Sequence, residues 1–412
     1  MENFDQMLEK YAEVVVKVGL NLQPGQRLMI AAEMNTAPLV RAITAKAYQN
    51  GAPYVNVFWS DEDLTKIRFE HAPRDSFEEV TPWYYEGVLQ DAKRGDAYLS
   101  VTGTDPDLLK PYDPELVGTA MKARAKYFKP AVNYISNGGV QWTVVCPPTP
   151  KWAAKVFPEL SVEEAEKKLW EVFYGLCRLD NDNPAATWQA HLDDLHKRHE
   201  FLTKQQFESL HFHGPGTDLK IGMPENHIWK GGGSKTSGGV DFTANIPTEE
   251  VFCMPHKYKV DGTVTASKPL NHYGSLIENF SLTFKEGKVV DFKAEKGAEA
   301  LQTILDADEN SRYLGEVALV PHFSPISESG LIYYNTLYDE NAACHVALGS
   351  AYRDNIEGGV DMSDEEADAA GVNESIMHVD FMIGSDKVDV DGITPDGREI
   401  PLLRAGRWAF DV

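Results

Sequence analysis

The first half of the chain alternates between apolar residues at helical spacing and short, continuous apolar runs. Apolar residues recur three or four positions apart over residues 4–18, which predicts an amphipathic helix. The apolar run at 27–32 predicts a buried strand. The alternation continues with predicted helices at 38–49, 77–93 and 114–126 and predicted strands at 54–59, 97–101 and 141–146. This order predicts a parallel sheet covered by helices.

The pattern changes near residue 210. Residues 151–210 have mainly helical spacing, and the order of Ser161 and Glu164 is typical of a capping box. Beyond residue 211 the chain has short strand patterns and glycine turns, with one predicted helix at 294–306. We therefore predict an α/β amino-terminal domain with a parallel sheet, residues 1–210, and a mixed α+β carboxy-terminal catalytic domain, residues 211–412.

Net charge and cysteine content limit the classes of partner and the cellular compartment that we expect for this protein. The chain of 412 residues has a formal net charge of −24, which argues against nucleic acid or an anionic membrane as a partner. Its four cysteines are far apart and form no C-x-x-C pair, so neither a zinc knuckle nor a disulfide scaffold is indicated. The first ten residues lack the pattern of a secretion signal, and we expect a cytoplasmic protein.

The second half contains six residues suited to hard divalent cations, each in its own short motif. They are Glu250, Glu316, Glu340, His345, His378 and Asp380. In an extended strand, residues i and i+2 share a face, so His378 and Asp380 can reach one ion together. Carboxylates with two imidazoles suit Zn²⁺, Mn²⁺ or Co²⁺ in an open catalytic site better than a structural zinc site. This set predicts a two-metal hydrolase.

Other motifs receive simpler interpretations. The glycine-rich segment 231–239 lacks the Gly-Lys pairing of a P-loop and is interpreted as a loop. Cys344 stands beside His345 but is expected to be a buried apolar residue. His191, His196 and His199 share one helical stretch without H-E-x-x-H order, which favours a solvated helix face.

Four segments, 245–252, 315–320, 337–352 and 375–384, resemble in order and spacing the motifs of the thermophilic metallo-aminopeptidase family, the aminopeptidase T group. The resemblance implies a dinuclear site whose ligands are Glu250, Glu316, His345, His378 and Asp380. It also implies that Glu316 bridges both ions and that relatives are homodimers acting on peptides.

Three further residues have possible catalytic roles under this resemblance. Glu340 matches an acid of the family motif and either binds metal or carries protons. Tyr352 also matches and is expected to donate a hydrogen bond to the oxyanion or to lie close to one metal. Glu249 is the other candidate for the proton carrier. Neighbouring residues on a strand face opposite sides, so only one of Glu249 and Glu250 can readily bind metal, and the resemblance implies that it is Glu250.

The resulting prediction is a metal-dependent aminopeptidase that removes amino-terminal residues from short peptides. Its cofactors would be two divalent ions, Zn, Co or Mn, with a bridging hydroxide. Two alternatives remain at this point. One is another dinuclear hydrolase, an amidohydrolase or a phosphoesterase, because the donor set does not select the substrate. The other is a noncatalytic small-molecule binding protein.

Overall fold

The computed structural model describes residues 4–272 and 274–412. The α-helices are α1 Phe4–Val14, α2 Ala37–Gln49, α3 Glu62–His71, α4 Pro82–Arg94, α5 Pro114–Tyr134, α6 Pro150–Val156, α7 Val162–Leu176, α8 Pro184–Gln205, α9 Ala298–Leu305, α10 Pro325–Glu328, α11 Thr336–Asp339 and α12 Asp364–Ala369. The strands are β1 Leu28–Glu33, β2 Val55–Ser60, β3 Ala97–Val101, β4 Trp142–Val145, β5 Ser209–Gly214, β6 Thr217–Gly222, β7 Lys230–Gly231, β8 Ser234–Lys235, β9 Asp241–Phe242, β10 Asn245–Ile246, β11 Val251–Cys253, β12 Val260–Thr265, β13 Leu270–His272, β14 Ser275–Lys285, β15 Lys288–Lys296, β16 Leu314–Leu319, β17 His345–Gly349, β18 His378–Met382, β19 Asp389–Ile393, β20 Glu399–Arg404 and β21 Arg407–Trp408.

The chain divides into two compact units. The first unit comprises Met1–Ala190 with Gly233–Pro247, and the second comprises His191–Gly232 with Thr248–Val412. A domain boundary near residue 210 stays a prediction. No helix in the described part of the chain is long and apolar enough to cross a membrane.

The first unit is built on a parallel sheet with strand order β10-β4-β3-β1-β2. Its strands are short and apolar, and Ile30, Leu99 and Val145 are fully buried. Such strands bury both faces under crossover helices. The predicted α/β architecture of this half is confirmed.

The second unit contains two antiparallel sheets. The larger has the order β13-β14-β12-β6-β5-β19-β20-β21, with β15 beside β14. The smaller, which we call the site sheet, has the order β18-β17-β16-β11-β7. A largely antiparallel arrangement with short helices confirms the mixed α+β prediction.

Element boundaries differ from the sequence predictions where glycine or proline intervenes. The predicted helix at 77–93 begins only at Pro82. Proline is well suited to this first turn, where its missing N–H would have no partner within the helix. The predicted helix at 294–306 begins at Ala298, since β15 continues to Lys296 and Gly297 adopts a φ of +74°. The capping box of Ser161 and Glu164 is confirmed at the start of α7.

Alternation along the site sheet gives it two chemically different faces. Side chains of successive strand residues point to opposite faces. One face is apolar and belongs to the core of the second unit; it consists of Val251, Cys253, Val317, Leu319, Val346, Leu348, Val379 and Phe381. The intervening positions include Glu316, His345, His378 and Asp380. The sheet therefore holds functional side chains on one side and anchors itself through the other.

Candidate metal centre

The strand register brings the predicted ligands together on the functional face of the site sheet. Ala347 of β17 pairs with Glu316 of β16 on one side and with Asp380 of β18 on the other. Directly paired residues share a face, so the two carboxylates lie on the same side. His345 and His378, each two positions from a member of this row, share that face.

Small residues leave room among these side chains. Ala347 stands between the two carboxylate-bearing strands, and a methyl group is all that it projects over the sheet. Gly349 pairs with His378 and has a φ of +103°, and a Cβ there would collide with the Met377 carbonyl oxygen. Glycine is therefore required at this position. The space over β17 is left to the ligands.

The side chains form two groups of three that share one residue. Glu250, Glu316 and His345 make one group, and Glu316, His378 and Asp380 make the other; within each, the potential ligand atoms lie within 4.8 Å of one another. His345 Nε2 is 3.1 Å from Glu250 Oε2 and 3.4 Å from Glu316 Oε1. His378 Nε2 is 3.5 Å from Glu316 Oε2 and 3.3 Å from Asp380 Oδ1. Each Glu316 oxygen thus faces a different histidine.

Both histidines are oriented through their other ring nitrogen. His345 Nδ1 lies 3.1 Å from the Ala343 carbonyl oxygen, and His378 Nδ1 lies 2.7 Å from that of Ser350. A backbone carbonyl at Nδ1 requires a proton there, so Nε2 carries the lone pair in the neutral ring. Metal-binding histidines are commonly fixed in this way.

The charges and donors fit divalent cations. In the described part of the chain, the acids of the two groups make their ion pairs with His345 and His378 and with no lysine or arginine. Glu250 Oε2 and Asp380 Oδ1 are buried and, among the described residues, have no hydrogen-bond partner beyond their ion-pair contacts with His345 and His378. Buried anions require compensation, and hard cations would supply it at these oxygens.

The pKa shifts reflect the same excess of negative charge. Burial raises the pKa of Glu316, and the neighbouring Asp380 and Glu250 reinforce the rise against the hydrogen bond from His345. Burial disfavours the imidazolium of His378, but Asp380 and Glu316 outweigh burial and raise its pKa to about 10. Without cations the cluster therefore gathers protons. Metal ions would take their place on binding.

Glu340 lies close to the two groups but outside them. Burial raises its pKa well above the ordinary value, and the charges of Glu250 and Asp380 add to the rise. It belongs to the turn that follows α11, whose next residue is the fully buried Asn341. A carboxyl group that readily keeps its proton beside the ligands can serve in proton transfer.

Glu249 and Glu250 separate as neighbouring extended residues do. Glu249 Oε2 lies 3.5 Å from His191 Nε2, and that nitrogen is 2.9 Å from the Thr248 carbonyl oxygen. The backbone N–H of Glu249 donates to Asn341 Oδ1 at 2.7 Å. Glu250 alone of the pair joins a ligand group. The expectation of a solvated His191 is wrong, because its side chain is only 16% exposed.

Tyr352 stands at the edge of the cluster. Its ring centre is 5.3 Å from that of His378 and 6.1 Å from that of Phe252. Although the side chain is 47% exposed, loss of water around the hydroxyl raises its pKa, and the nearby Glu316 and Asp380 raise it further. The hydroxyl therefore keeps its proton and can donate a hydrogen bond.

Sequence reasoning missed Ala347, Gly349 and Asn341. Asn341 connects two site segments, since it accepts from the Glu249 backbone and donates to the Leu337 carbonyl oxygen at 2.9 Å. The small residues become meaningful only through their strand partners. No sequence motif specifies those partners.

Comparison with known proteins agrees with this geometry. The family model described as thermophilic metalloprotease (M29) matches residues 4–408. The chain is 48% identical over 412 residues to "Aminopeptidase 2" of Geobacillus stearothermophilus, with both sequences covered completely. It is 45% identical over 408 residues to "Aminopeptidase T" of Thermus thermophilus, covering 99% of this chain and 100% of the relative.

The fold is similar to a solved structure as well. Wild-type AmpT from Thermus thermophilus matches with a TM-score of 0.94 at 44% identity, over 99% of this chain and 100% of that one. The resemblance found in the four sequence segments is confirmed. The chain belongs to the thermophilic metalloprotease (M29) family and is a metallo-aminopeptidase of the hydrolase class.

Proposed function

We propose that the site sheet binds two divalent cations that share Glu316. Glu250, Glu316 and His345 would hold one ion, and Glu316, His378 and Asp380 would hold the other. The observation that carries this proposal is that Glu316 belongs to both groups, with one oxygen toward each histidine. Zn²⁺, Co²⁺ and Mn²⁺ all accept these donors.

The ions would complete a hydrolytic site on this face. When bound as a pair, they would supply a shared hydroxide as the nucleophile and polarise the scissile carbonyl group of a peptide. The chain itself orients both imidazoles through the carbonyl groups of Ala343 and Ser350. It also buries Glu250, Glu316 and His345, and the exclusion of water strengthens electrostatic interactions there.

Glu340 is proposed as the residue that carries the proton to the leaving nitrogen, and Tyr352 as the donor to the oxyanion. The raised pKa of Glu340, caused by burial and by adjacent acids, suits a group that holds a proton and passes it on during the reaction. Glu249 is the less favoured proton carrier, because its carboxylate is directed to His191. A metal contact from Glu340 remains compatible with its position.

We propose short peptides as the substrates, since the chain's relatives are aminopeptidases and a net charge of −24 does not repel a cationic amino terminus. We further propose a cytoplasmic homodimer. The widely spaced cysteines, with no C-x-x-C pair among them, are consistent with a reducing compartment. Sedimentation of the purified protein measures the oligomeric state directly.

The decisive experiment compares Glu340→Gln with Glu249→Gln, assayed on leucine p-nitroanilide with p-nitrophenyl phosphate in parallel. We expect anilide hydrolysis by the native chain and a fall of roughly 10²–10⁴-fold in kcat for Glu340→Gln. Glu249→Gln should lose much less. Two metal ions per chain should remain in both variants.

Each contrary result has a distinct meaning. Turnover of the phosphate ester alone would contradict the peptidase function and favour a phosphoesterase. Loss of metal from Glu340→Gln would identify Glu340 as a ligand. One ion per chain in the active native protein would contradict the dinuclear proposal.

A further inference from the structure

A lysine near the acidic site has no partner of its own. Lys268 lies between β12 and β13, and in the part of the chain that the structure describes its ammonium is influenced by the charge of Asp339 without a hydrogen bond to it. Its side chain is neither fully exposed nor fully buried. Lysines usually extend into water or pair with a carboxylate. Lys268 is half-buried, and in the described part of the chain it has no carboxylate in contact with its ammonium.

Its backbone is attached to the strand that bears two of the proposed ligands. The N–H of Ser267 donates to the Met382 carbonyl oxygen at 2.8 Å. Met382 is the last residue of β18 and pairs with His345 across the site sheet. Lys268 therefore follows a residue bonded to the end of β18, which is the edge strand of the site sheet.

The nearest influence on its charge is Asp339, which is already engaged. Asp339 Oδ1 accepts the N–H of Tyr333 at 2.8 Å, and its Oδ2 accepts the N–H of Asn335 at 3.1 Å. Asp339 immediately precedes Glu340, so its turn also borders the ligand cluster. Lys268 is thus held between the end of β18 and this turn without being neutralised by contact.

The environment favours arrival of a negative group. Burial lowers the pKa of Lys268, and the distant charge of Asp339 only partly offsets that effect. A carboxylate resting against the ammonium would compensate the desolvation and form a charge-assisted hydrogen bond. The acids of the ligand cluster, in contrast, would repel a carboxylate that had no cation beside it.

We propose that Lys268 binds the free α-carboxylate at the carboxyl end of a short peptide substrate. The inference rests on the proposed aminopeptidase function and adds a specificity-determining residue to it. The amino end of such a peptide is directed to the ligand cluster and its carboxylate to Lys268. Peptides with a free carboxylate should consequently be preferred to the same peptides with a terminal amide.

The test uses leucyl-glycine and leucyl-glycyl-glycine, each as the free acid and as the amide, with leucine p-nitroanilide as a substrate that lacks a carboxylate. We expect the metal-loaded native chain to prefer at least one free acid by roughly 10- to 100-fold in kcat/KM, mainly through KM. Lys268→Met should abolish that preference while leaving anilide hydrolysis unchanged. Lys268→Arg should retain most of it.

Three outcomes separate this inference from the proposed function. Equal loss of activity on acids, amides and anilide in Lys268→Met would overturn it and indicate a general structural role. An unchanged preference in Lys268→Met, or no preference in the native chain at either length, would also overturn it. If the native chain cleaved none of these compounds, the proposed function itself would fail.

Discussion

At the scale of single residues, Glu316 is the centre of the site. It is 6% exposed, it contributes to both ligand groups, and its two oxygens face different histidines. A carboxylate in this position is costly to bury without cations. Glutamine has nearly the same shape as glutamate but no charge. A glutamine at position 316 should therefore keep the packing while removing most of the affinity for the metal ions.

We expect Glu316→Gln to abolish turnover of leucine p-nitroanilide. The loss should exceed the roughly 10–100-fold that accompanies removal of an outer-shell partner, because this variant removes a shared donor. His345→Ala should have a similar effect. Circular dichroism and metal analysis of both variants should show a folded chain with fewer bound ions, and near-native rates in either variant would contradict the assignment.

At the scale of the element, β17 performs two tasks through alternation. Val346 and Leu348 face the apolar core, whereas His345 and Ala347 face the ligands. A single strand therefore serves both the apolar core and the proposed metal site without mixing the two sets of side chains. Substitutions at adjacent positions should consequently have different effects.

Leu348→Ala and Ala347→Leu form a matched pair that tests this division. Leu348 is 1% exposed, so its truncation should lower the free energy of unfolding by about 2–5 kcal/mol with little change in metal content. Ala347→Leu should instead fill the space between Glu316 and Asp380 and reduce bound metal. Denaturant unfolding and metal analysis distinguish the two variants. Loss of metal in Leu348→Ala, with loss of stability alone in Ala347→Leu, would show that the two faces of the sheet are misidentified.

At the scale of the whole molecule, the chain has a net charge of −24, and part of this negative charge is concentrated in the ligand cluster. Repulsion among buried acids opposes folding, and bound cations relieve it. Under the proposed assignment the folded chain would bind the ions, whereas the unfolded chain lacks the assembled site. Metal binding should therefore stabilise the protein by mass action.

We expect saturating metal to raise the midpoint of thermal unfolding by roughly 5–15 °C relative to the chelated protein. This corresponds to about 3–4 kcal/mol at 100 to 1,000 times Kd, spread over a unit of this size. Calorimetry with and without chelator measures the shift. Glu316→Gln is the control and should show little of it; an equal shift in that variant would mean that the ions stabilise the chain elsewhere.

The alternating amino-terminal architecture and the six candidate ligands could be predicted from the sequence, because periodicity and residue chemistry are local properties. The sequence also indicated that only one of Glu249 and Glu250 can readily bind metal, since adjacent extended residues diverge, and the family resemblance implied Glu250. These inferences needed no knowledge of distant contacts.

Which of the candidate residues lie close together could be learned only from the three-dimensional structure. The pairing of β16, β17 and β18 places Glu316, Ala347 and Asp380 in one row, and strand register is set by packing across the whole sheet. The same is true of His191 against Glu249 and of Lys268 beside β18. Gly297 ends the strand before α9 because its backbone adopts a left-handed conformation, which the spacing of apolar residues does not reveal.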